Sequence, residues 1–291
     1  MIDVFVIIVN YNSGEVVQRA IRSLNEEYLT IKILIVDNHS SDNSVRLLSE
    51  INDDRVELLI SNSNSGFSGG VNMAYKHIKY KYTLPKHMFI FNPDAVAVKN
   101  MIFNLKESLE LNEDAAVISP RIIAMNGEAW YSGAIIDNNN LKVINVPPHT
   151  KNNEIIKIDV FSGCAALFKV KCMEISGEFN EMLFMYYDEA DYSKRLKKNN
   201  FDIIYHSRIV IKHELSYTTR NISYIKTYYM TRNNYMYFMN NSPFNKYVTF
   251  LLLTKHIVRN MVSLTSRGKI KNVGYGLLGI FHFLINKGGK L

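Results

Sequence analysis

The first 60 residues alternate apolar runs with helical patterns, and this alternation constrains the fold more than any other feature of the chain. Residues 4–9 are β-branched and apolar on both faces, which is typical of a strand buried in a parallel sheet. Residues 31–36 and 56–60 have the composition of further strands, and apolar residues at helical spacing separate the three runs. Polar loops follow each run. This β-α-β-α-β pattern predicts an α/β fold built on a doubly wound parallel sheet.

A fourth apolar run, residues 89–91, is followed by Asn92, Pro93 and Asp94. A single carboxylate, that of Asp94, therefore lies just beyond the end of the run. Because Pro93 cannot donate a hydrogen bond to a neighbouring strand, the strand is expected to stop there. Open α/β sheets bind their ligands at the carboxyl ends of the strands. Asp94 is therefore a candidate ligand-binding acid, and the alternative is a plain polar turn after a strand.

Two stretches of small residues lie near the same predicted edge of the sheet. Residues 61–72 are rich in Ser, Asn and Gly and lead into a helix expected to begin near Gly70. Such a loop lets the backbone approach a ligand, and a helix N-terminus suits a phosphate. The loop matches neither the dinucleotide fingerprint nor the phosphate-loop pattern, so a flexible loop is the alternative. Residues 162–166, in a later predicted strand, also leave room for a close neighbour.

Three acids, Asp188, Glu189 and Asp191, open another predicted helix. One interpretation is structural, since acids in the first turn stabilise a helix and Asp188 is a suitable N-cap. The other is that one carboxylate faces a cleft as a general base. His213 follows the strand-like runs 201–206 and 209–212. Together with Asp94 it would form a divalent-metal pair, although sequence alone does not show that the two meet.

The composition excludes several classes of protein. At 291 residues with 47% hydrophobic content, the chain has enough apolar residues for a core and is not disordered. Cys164 and Cys172 are the only cysteines and lie in no recognisable motif, so we expect neither a disulfide framework nor a cysteine nucleophile, and a reducing compartment. Residues 4–9 predict a first strand rather than an export signal. Residues 120–157 are rich in Asn, Gly and Pro, and predict a long excursion with a small hairpin around Trp130 that covers one side of the site.

Taken in order, five segments resemble those of glycosyltransferase family 2, most closely its bacterial rhamnosyltransferase-like branch. They are Val-Ile-Ile-Val-Asn-Tyr-Asn-Ser (6–13), Ile-Val-Asp-Asn-His-Ser-Ser-Asp (35–42), Asn-Ser-Gly-Phe-Ser-Gly-Gly-Val-Asn (64–72), Phe-Asn-Pro-Asp (91–94) and Asp-Glu-Ala-Asp-Tyr-Ser-Lys-Arg-Leu (188–196). His213 with Ser216 resembles a histidine that follows the last sheet strand. The match covers residues 2 to about 216.

The resemblance implies the glycosyltransferase A-type fold, with a Rossmann-like nucleotide-sugar-binding catalytic domain over residues 1–216 and a helical, basic C-terminal extension over residues 217–291. It also implies an inverting enzyme that moves a sugar from a nucleotide-diphosphate donor to an acceptor hydroxyl. By analogy, Asn10, Tyr11 and Asp37 contact the nucleotide base, and the glycine-rich loop borders the nucleoside and diphosphate. The implied donor-binding residues are Asn10, Tyr11, Asp37, Asn38, Asn64, Gly66, Gly70, Asn72, Asn92 and Asp94.

The same resemblance implies a divalent cofactor, Mg²⁺ or Mn²⁺, held by Asp94 and His213. The family often has Asp-x-Asp where this chain has Asn-Pro-Asp, so a single carboxylate is available and His213 becomes the second ligand. The family's Glu-Asp-x-Asp is replaced by Asp-Glu-Ala-Asp, which moves the catalytic base to Glu189. Asp188 is the second candidate for the base, and Asp191 is interpreted as a structural or orienting acid.

The favoured donor is dTDP-rhamnose, because the branch resembled is rhamnosyltransferase-like, and a UDP-hexose or UDP-galactofuranose is the rival. The implied product belongs to a bacterial surface polysaccharide, O-antigen or capsule, built on a lipid-linked saccharide acceptor. An alternative of another class is a non-catalytic nucleotide-sugar or glycan-binding module. A nucleic-acid partner is not expected, because the chain carries none of the sequence signatures of RNA- or DNA-binding modules.

The C-terminal extension differs from the rest of the chain in charge. Glu214 is the last acidic residue; the first 214 residues carry 23 Lys and Arg against 27 acids, and the remainder carries 11 Lys and Arg. Apolar clusters alternate with these cations, and the apolar run 273–285 is too short to span a bilayer. One hypothesis is that interfacial helices lie on the cytoplasmic face of an anionic membrane. The alternative is packing on the catalytic domain or a homodimer interface.

Overall fold

The computed structural model describes residues 2–147, 155–214 and 223–291. The strands in these ranges are β1 (Val4–Asn10), β2 (Ile31–Asp37), β3 (Val56–Ile60), β4 (His87–Phe91), β5 (Ala95–Val96), β6 (Ala115–Ala124), β7 (Ala129–Tyr131), β8 (Ala134–Asp137), β9 (Lys142–Asn145), β10 (Ile155–Lys157), β11 (Ala165–Lys169) and β12 (Asp202–His213). The α-helices are α1 (Gly14–Ser23), α2 (Ser44–Ser49), α3 (Gly66–Lys81), α4 (Met101–Glu110), α5 (Val170–Ser176), α6 (Asp188–Lys198), α7 (Ser223–Asn241), α8 (Lys246–Ser266) and α9 (Ile270–Leu284).

One large sheet organises the molecule, with strand order β10-β12-β6-β11-β4-β1-β2-β3. The strands β3, β2, β1 and β4 are parallel neighbours, as the sequence predicts. The side chains of β1, β2 and β4 are mostly apolar and buried on both faces, and residues 4–8 of β1 are fully buried, whereas the edge strand β3 is half-buried. Burial on both faces explains why β1, β2 and β4 show continuous apolar runs instead of alternation.

The remainder of the sheet is mixed, which corrects the expectation of a purely parallel one. β11 runs antiparallel to both β4 and β6, whereas β12 runs parallel to β6. The physical reason is the path of the chain. The excursion after β6 ends at residues 162–164, beside the carboxyl end of β4, so the strand that follows must run back in the opposite direction.

Two local expectations are also corrected. The helix expected near Gly70 begins at Gly66, four residues earlier. The two strands expected at 201–206 and 209–212 form one strand, β12, with a register shift between His206 and Val210. The hairpin expected around Trp130 is present, since β7 carries Trp130 and pairs antiparallel with the end of β6, and β8 and β9 form a second hairpin.

The C-terminal helices α7, α8 and α9 pack against one another, and α7 also buries side chains against the sheet domain. The expected domain boundary at 216/217 and Ser216 lie outside the described residues. Of the helices in the described ranges, none has the length and apolar character needed to cross a bilayer.

Candidate active site

A cavity of about 540 Å³ lies at the carboxyl end of β4 and collects residues that are far apart in the sequence. Asn92 and Asp94 come from the end of β4, Asp188 and Glu189 from the start of α6, and His213 from the end of β12. The excursion covers one side through Trp130, Tyr131, Val143 and Asn145. The structure therefore brings the predicted metal ligands and two of the predicted catalytic acids into one space.

Asp94 and His213 form a buried pair within this cavity. β5 pairs with β12 so that His213 lies opposite Ala95, and the His213 Nε2 atom is 2.9 Å from Asp94 Oδ1. The Trp130 ring packs against the imidazole, with ring centroids 4.9 Å apart. The other ring nitrogen, Nδ1, is buried and has no hydrogen-bond partner among the described residues.

This pair fits a divalent cation that is shared with a substrate. The described residues contain no group of three or more His, Cys, Asp or Glu arranged to hold a metal. Mg²⁺ is usually bound by one or two carboxylates together with substrate phosphates, not by a cage made of protein alone. The Asp94 carboxylate and the His213 Nε2 atom that faces it offer two ligands of that partial kind. The metal-binding roles of Asp94 and His213 stay predictions.

Asp188 and Glu189 differ in their surroundings, although they are neighbours. Asp188 is 1% exposed and accepts a hydrogen bond of 3.3 Å from Ser68 Oγ. Burial, and then the charge of Glu189, raise the pKa of Asp188 well above its usual range. Burial therefore disfavours the charged form of Asp188, whereas Glu189 is only half-buried.

The space for Glu189 is provided by Gly163. A methyl group placed on Gly163 would lie 2.4 Å from Glu189 Oε1, which is closer than any normal contact. The small residues of 162–166 therefore do leave room for a close neighbour, and the neighbour at Gly163 is a carboxylate of this chain.

Asp191 does not line the cavity. It forms an ion pair with Arg195 one turn later, at 3.0 Å, and Arg195 donates to the Ser176 carbonyl oxygen at 2.7 Å. These bonds tie α6 to the end of α5. The position of Asp191 suits the structural role that the sequence analysis gave it.

The residues predicted to contact the nucleotide base form a separate network at the ends of β1 and β2. The buried carboxylate of Asp37 accepts hydrogen bonds from Asn10 Nδ2 at 2.8 Å, from Ser40 N at 2.8 Å and from Ser40 Oγ at 2.7 Å. Asn38 Nδ2 donates to the Gly66 carbonyl oxygen at 2.7 Å, and Tyr11 is 38% exposed. None of these residues lines the 540 Å³ cavity, so their contact with a donor stays a prediction.

The glycine-rich loop serves packing as well as access. Gly66, with φ 75°, lets Phe67 N donate to the Phe184 carbonyl oxygen at 2.9 Å, and a methyl group on Gly70 would lie 2.5 Å from Val9 Cγ1. Asn64 Oδ1 accepts from Gly66 N at 3.0 Å. Asn72 is held by the backbone of Phe179 on both sides of its amide. Of this loop, Phe67 lines the cavity, so the first turn of α3 lies beside it.

The structure also identifies a group that sequence reasoning missed, the turn before α6 (residues 182–187) and the helix that holds it. Phe184, Tyr186 and Tyr187 have φ of 66°, 65° and 67°, a region that is costly for bulky side chains. The turn leads directly into Asp188 and Glu189, so its conformation sets where these acids lie.

Two buried side chains of α7 hold this turn. Arg232 is fully buried and donates to the carbonyl oxygens of Met182 and Leu183 at 3.0 and 2.9 Å. Asn233 Nδ2 lies 2.8, 2.8 and 2.9 Å from the carbonyl oxygens of Leu183, Met185 and Tyr186. The only signal in the sequence is a polar Arg-Asn-Asn triplet inside an aromatic helix, and its partners lie about 50 residues away.

Comparison with known proteins supplies a family and a fold. A family model described as "Glycosyl transferase family 2" matches residues 5–175. The low-salt glycan biosynthesis hexosyltransferase Agl10 of Haloferax volcanii is 25% identical over 297 residues, which cover 99% of this chain and 93% of that protein.

Solved structures share the fold at low sequence identity. GalNAc-T7 with UDP, GalNAc and Mn²⁺ superposes with a TM-score of 0.62 at 12% identity, over 81% of this chain and 51% of that chain, so the likeness spans about half of that structure. The mannosyltransferase PcManGT from Pyrobaculum calidifontis, in complex with GDP-Man and Mn²⁺, gives a TM-score of 0.60 at 12% identity, over 98% of this chain and 88% of that one.

Proposed function

The chain belongs to glycosyl transferase family 2, and from this premise we propose that it transfers a sugar, with inversion, from a nucleotide-diphosphate donor held beside Asp94 to an acceptor hydroxyl. Three sequence predictions are confirmed: the family, the glycosyltransferase A-type fold and glycosyltransferase activity. The alternative of a non-catalytic binding module is therefore set aside. The rhamnosyltransferase-like branch stays a prediction.

The observation that carries the proposal is the convergence of Asp94, Glu189 and His213 on one cavity. Inversion is a single displacement at the anomeric carbon, in which the acceptor hydroxyl loses its proton as it attacks. A carboxylate within reach of that hydroxyl can accept the proton. We assign this role to Glu189, because its half-buried carboxyl group lines the cavity, whereas full burial disfavours the charged form of the neighbouring Asp188.

The departing diphosphate accumulates negative charge that the site must stabilise. Asp94 and His213 would hold a divalent cation, which when bound neutralises part of that charge. The first turn of α3 reaches the cavity at Phe67, and Lys226 of α7 also lines it. A helix N-terminus and a lysine both favour an anion at this position.

The identities of the donor and of the acceptor are proposals that go beyond membership of the family. The resemblance of the motifs favours dTDP-rhamnose, whereas the name of the Haloferax volcanii relative, a hexosyltransferase of glycan biosynthesis, supports a UDP-hexose donor. UDP-galactofuranose remains the third candidate. We propose a lipid-linked saccharide of a surface polysaccharide as the acceptor.

Apolar rows on α8 and α9 support a peripheral location on the cytoplasmic face of a membrane. On α9, Ile270, Leu277, Phe281 and Leu284 recur at helical spacing and are each more than half exposed. Leu251, Val258 and Val262 form a similar row on α8, next to Lys255 and Arg259. An apolar face flanked by cations fits an anionic lipid surface. A homodimer contact is the alternative occupant of these rows.

A donor panel tests the proposed function. The purified chain is incubated with dTDP-rhamnose, UDP-glucose, UDP-galactose, UDP-galactofuranose and GDP-mannose, each with Mn²⁺, with Mg²⁺ and with EDTA. Without the acceptor, water takes the place of its hydroxyl and receives the sugar. We therefore expect slow release of the nucleoside diphosphate from one nucleotide class only, with a metal present and with EDTA abolishing the release. If no donor is bound or turned over under any condition, the proposed function is wrong.

A further inference from the structure

A second cavity, of about 670 Å³, lies next to the candidate active site. It is enclosed by the β9 side of the hairpin and by α7, α8 and the start of α9. Val143, Tyr187, Lys226 and Met230 line both cavities, so the two are adjacent. A ligand in the second cavity would therefore lie next to the space that contains Glu189.

The second cavity is positively charged. Lys142, Lys226, His256 and Arg267 line it, and no Asp or Glu is among its lining residues. Within the described part of the chain, Lys142, Lys226 and Arg267 form no ion pair with a carboxylate. Asp137 lies opposite Lys142 in the β8–β9 pair and accepts hydrogen bonds from Asn139 and Asn140; its charge offsets part of that of Lys142, although it does not line the cavity. Burial, followed by the positive charges of Lys142, Arg259 and Lys255, lowers the pKa of His256, and the smaller effect of Asp137 opposes this shift.

Apolar side chains line the same cavity. Ile257, Met261 and Leu264 recur every three or four residues along α8 and so share one face of the helix. Met230 of α7 adds to this apolar lining and lies one turn after Lys226. Cations interspersed with apolar side chains suit a phosphate ester of an apolar alcohol. The exposed row of α8 (Leu251, Val258 and Val262) lies on a different face of that helix, so α8 borders both the cavity and the proposed membrane surface.

We propose that the second cavity is the acceptor site, and that its cations bind the phosphate or diphosphate group through which the acceptor saccharide is joined to its lipid. The inference rests on the proposed function, because it takes the first cavity as the donor site. With the anionic group between Lys142 and Arg267, the sugar points past Tyr187 and Lys226 toward Glu189, where its hydroxyl is deprotonated. The donor diphosphate is the other source of a phosphate group, and the test distinguishes the two.

The experiment is a titration calorimetry measurement on the full chain with octyl diphosphate as the probe, run with and without saturating UDP, dTDP or GDP and Mn²⁺. The variant K142Q/R267Q removes two cations that line the second cavity alone. The matched control R22Q/K79Q removes the same charge from exposed positions that line neither cavity. Octyl glucoside serves as the uncharged probe, and inorganic pyrophosphate as the anion without an apolar chain.

We expect octyl diphosphate to bind the nucleotide-saturated wild type, to bind K142Q/R267Q about tenfold more weakly, and to bind the control unchanged. Octyl glucoside and pyrophosphate should each bind more weakly than octyl diphosphate. Loss of octyl diphosphate binding when nucleotide fills the first cavity would assign the anion to the donor site and overturn the inference. Equal affinities of wild type and K142Q/R267Q would overturn it as well. Failure of the proposed function is distinct, since it would appear as absent donor turnover whatever the octyl diphosphate result.

Discussion

The position of the Glu189 carboxylate depends on the absence of a side chain at Gly163. Even one methyl group there would meet Glu189 Oε1 at 2.4 Å, so the carboxylate and not the backbone has to move. Overpacking of this kind costs about 1–3 kcal/mol where the neighbour cannot shift, and less where a flexible side chain can. Moving the Glu189 carboxylate costs little free energy. The displacement is nevertheless large enough to disturb proton transfer, which requires hydrogen-bond distance between the carboxylate and the hydroxyl.

We therefore predict that G163A lowers kcat by about 10- to 100-fold, with a nearly unchanged KM for the donor and a retained fold. Steady-state kinetics with circular dichroism spectra of the same samples measure this. The matched control is G274A, because a methyl group on Gly274 has no neighbour within 4 Å. Full activity of G163A would show that Glu189 does not need the position it has here.

The buried carboxyl group of Asp188 gives a prediction about pH. Burial and the charge of Glu189 raise its pKa in the folded protein, so the unfolded chain releases this proton at lower pH than the folded chain. The stability that protonated Asp188 provides is present below its unfolded pKa of about 3.9 and is lost as the pH rises through the folded pKa. The substitution D188N removes this titration while it keeps a neutral side chain of the same shape.

We expect the free energy of unfolding of D188N, relative to wild type, to increase as the pH is raised from 4.5 to 8. Urea denaturation at several pH values measures it, and D191N, which alters an acid outside the cavity, provides the comparison. A difference between D188N and wild type that is flat across this range would mean that Asp188 is ionised in the folded protein.

At the scale of elements, the turn before α6 and the helix α7 act together. The left-handed backbone of Phe184, Tyr186 and Tyr187 is retained only if the surrounding structure holds it. The two N–H groups of the Asn233 side chain are shared among three carbonyl oxygens of this turn, and loss of the partners of buried carbonyls costs about 1–3 kcal/mol. The same loss would let the first residues of α6, Asp188 and Glu189, shift within the cavity.

N233A is accordingly predicted to lower kcat at least tenfold at a temperature where the variant is fully folded, with the KM for the donor changed less than about threefold. It should also lower the free energy of unfolding by about 1–3 kcal/mol. The control N240A lies on the same helix, where its amide donates only to the Met236 carbonyl oxygen. A variant that is less stable but has wild-type kcat would limit Asn233 to a structural role.

The elements also show what sequence can and cannot predict. The parallel strands β1 to β4 were predictable, because burial on both faces produces continuous apolar runs, and the end of β4 was predictable from Pro93. The antiparallel direction of β11 was not, since it depends on where a 40-residue excursion returns. The contribution of Arg232 and Asn233 was not predictable for a similar reason: a polar residue in a helix reveals its partner only when the helix is packed.

Within the site, the location of polar residues that follow or begin apolar elements was the easiest feature to predict. Asp94, Glu189 and His213 are polar groups at the ends of apolar elements, and the fold places all three in one cavity. Gly70 and Asn72 were predicted as donor-binding residues, yet their contacts here are with Val9 and Phe179 of the chain itself. Small and amide residues serve backbone packing and ligand approach equally well, so sequence does not separate these uses.

At the scale of the whole molecule, the basic C-terminal region has a buried side and an exposed side with different roles. Its buried side holds the turn before α6 through α7, and its outer side exposes the apolar rows of α8 and α9. This arrangement would orient the active site relative to a membrane that carries the acceptor. Salt should weaken the attraction, since the Debye length falls to about 8 Å at physiological ionic strength.

We predict that the full chain sediments with anionic vesicles at low salt and is released as salt is added, whereas L277Q/F281Q sediments several-fold less. L111Q is the control, because Leu111 is 84% exposed but lies outside these helices. No sedimentation of the wild type with anionic vesicles would rule out the membrane hypothesis, and a concentration-dependent dimer in ultracentrifugation would then assign the rows to a second copy.

The central claim is that Glu189 accepts the proton of the acceptor hydroxyl beside a donor that Asp94 holds. Its most direct test compares E189Q and D191N with wild type, measuring kcat of sugar transfer and the Kd of the donor on the same preparations. We predict that E189Q loses about 10²-fold or more in kcat with the donor Kd nearly unchanged, whereas D191N keeps kcat within about threefold. Wild-type turnover by E189Q would contradict the account.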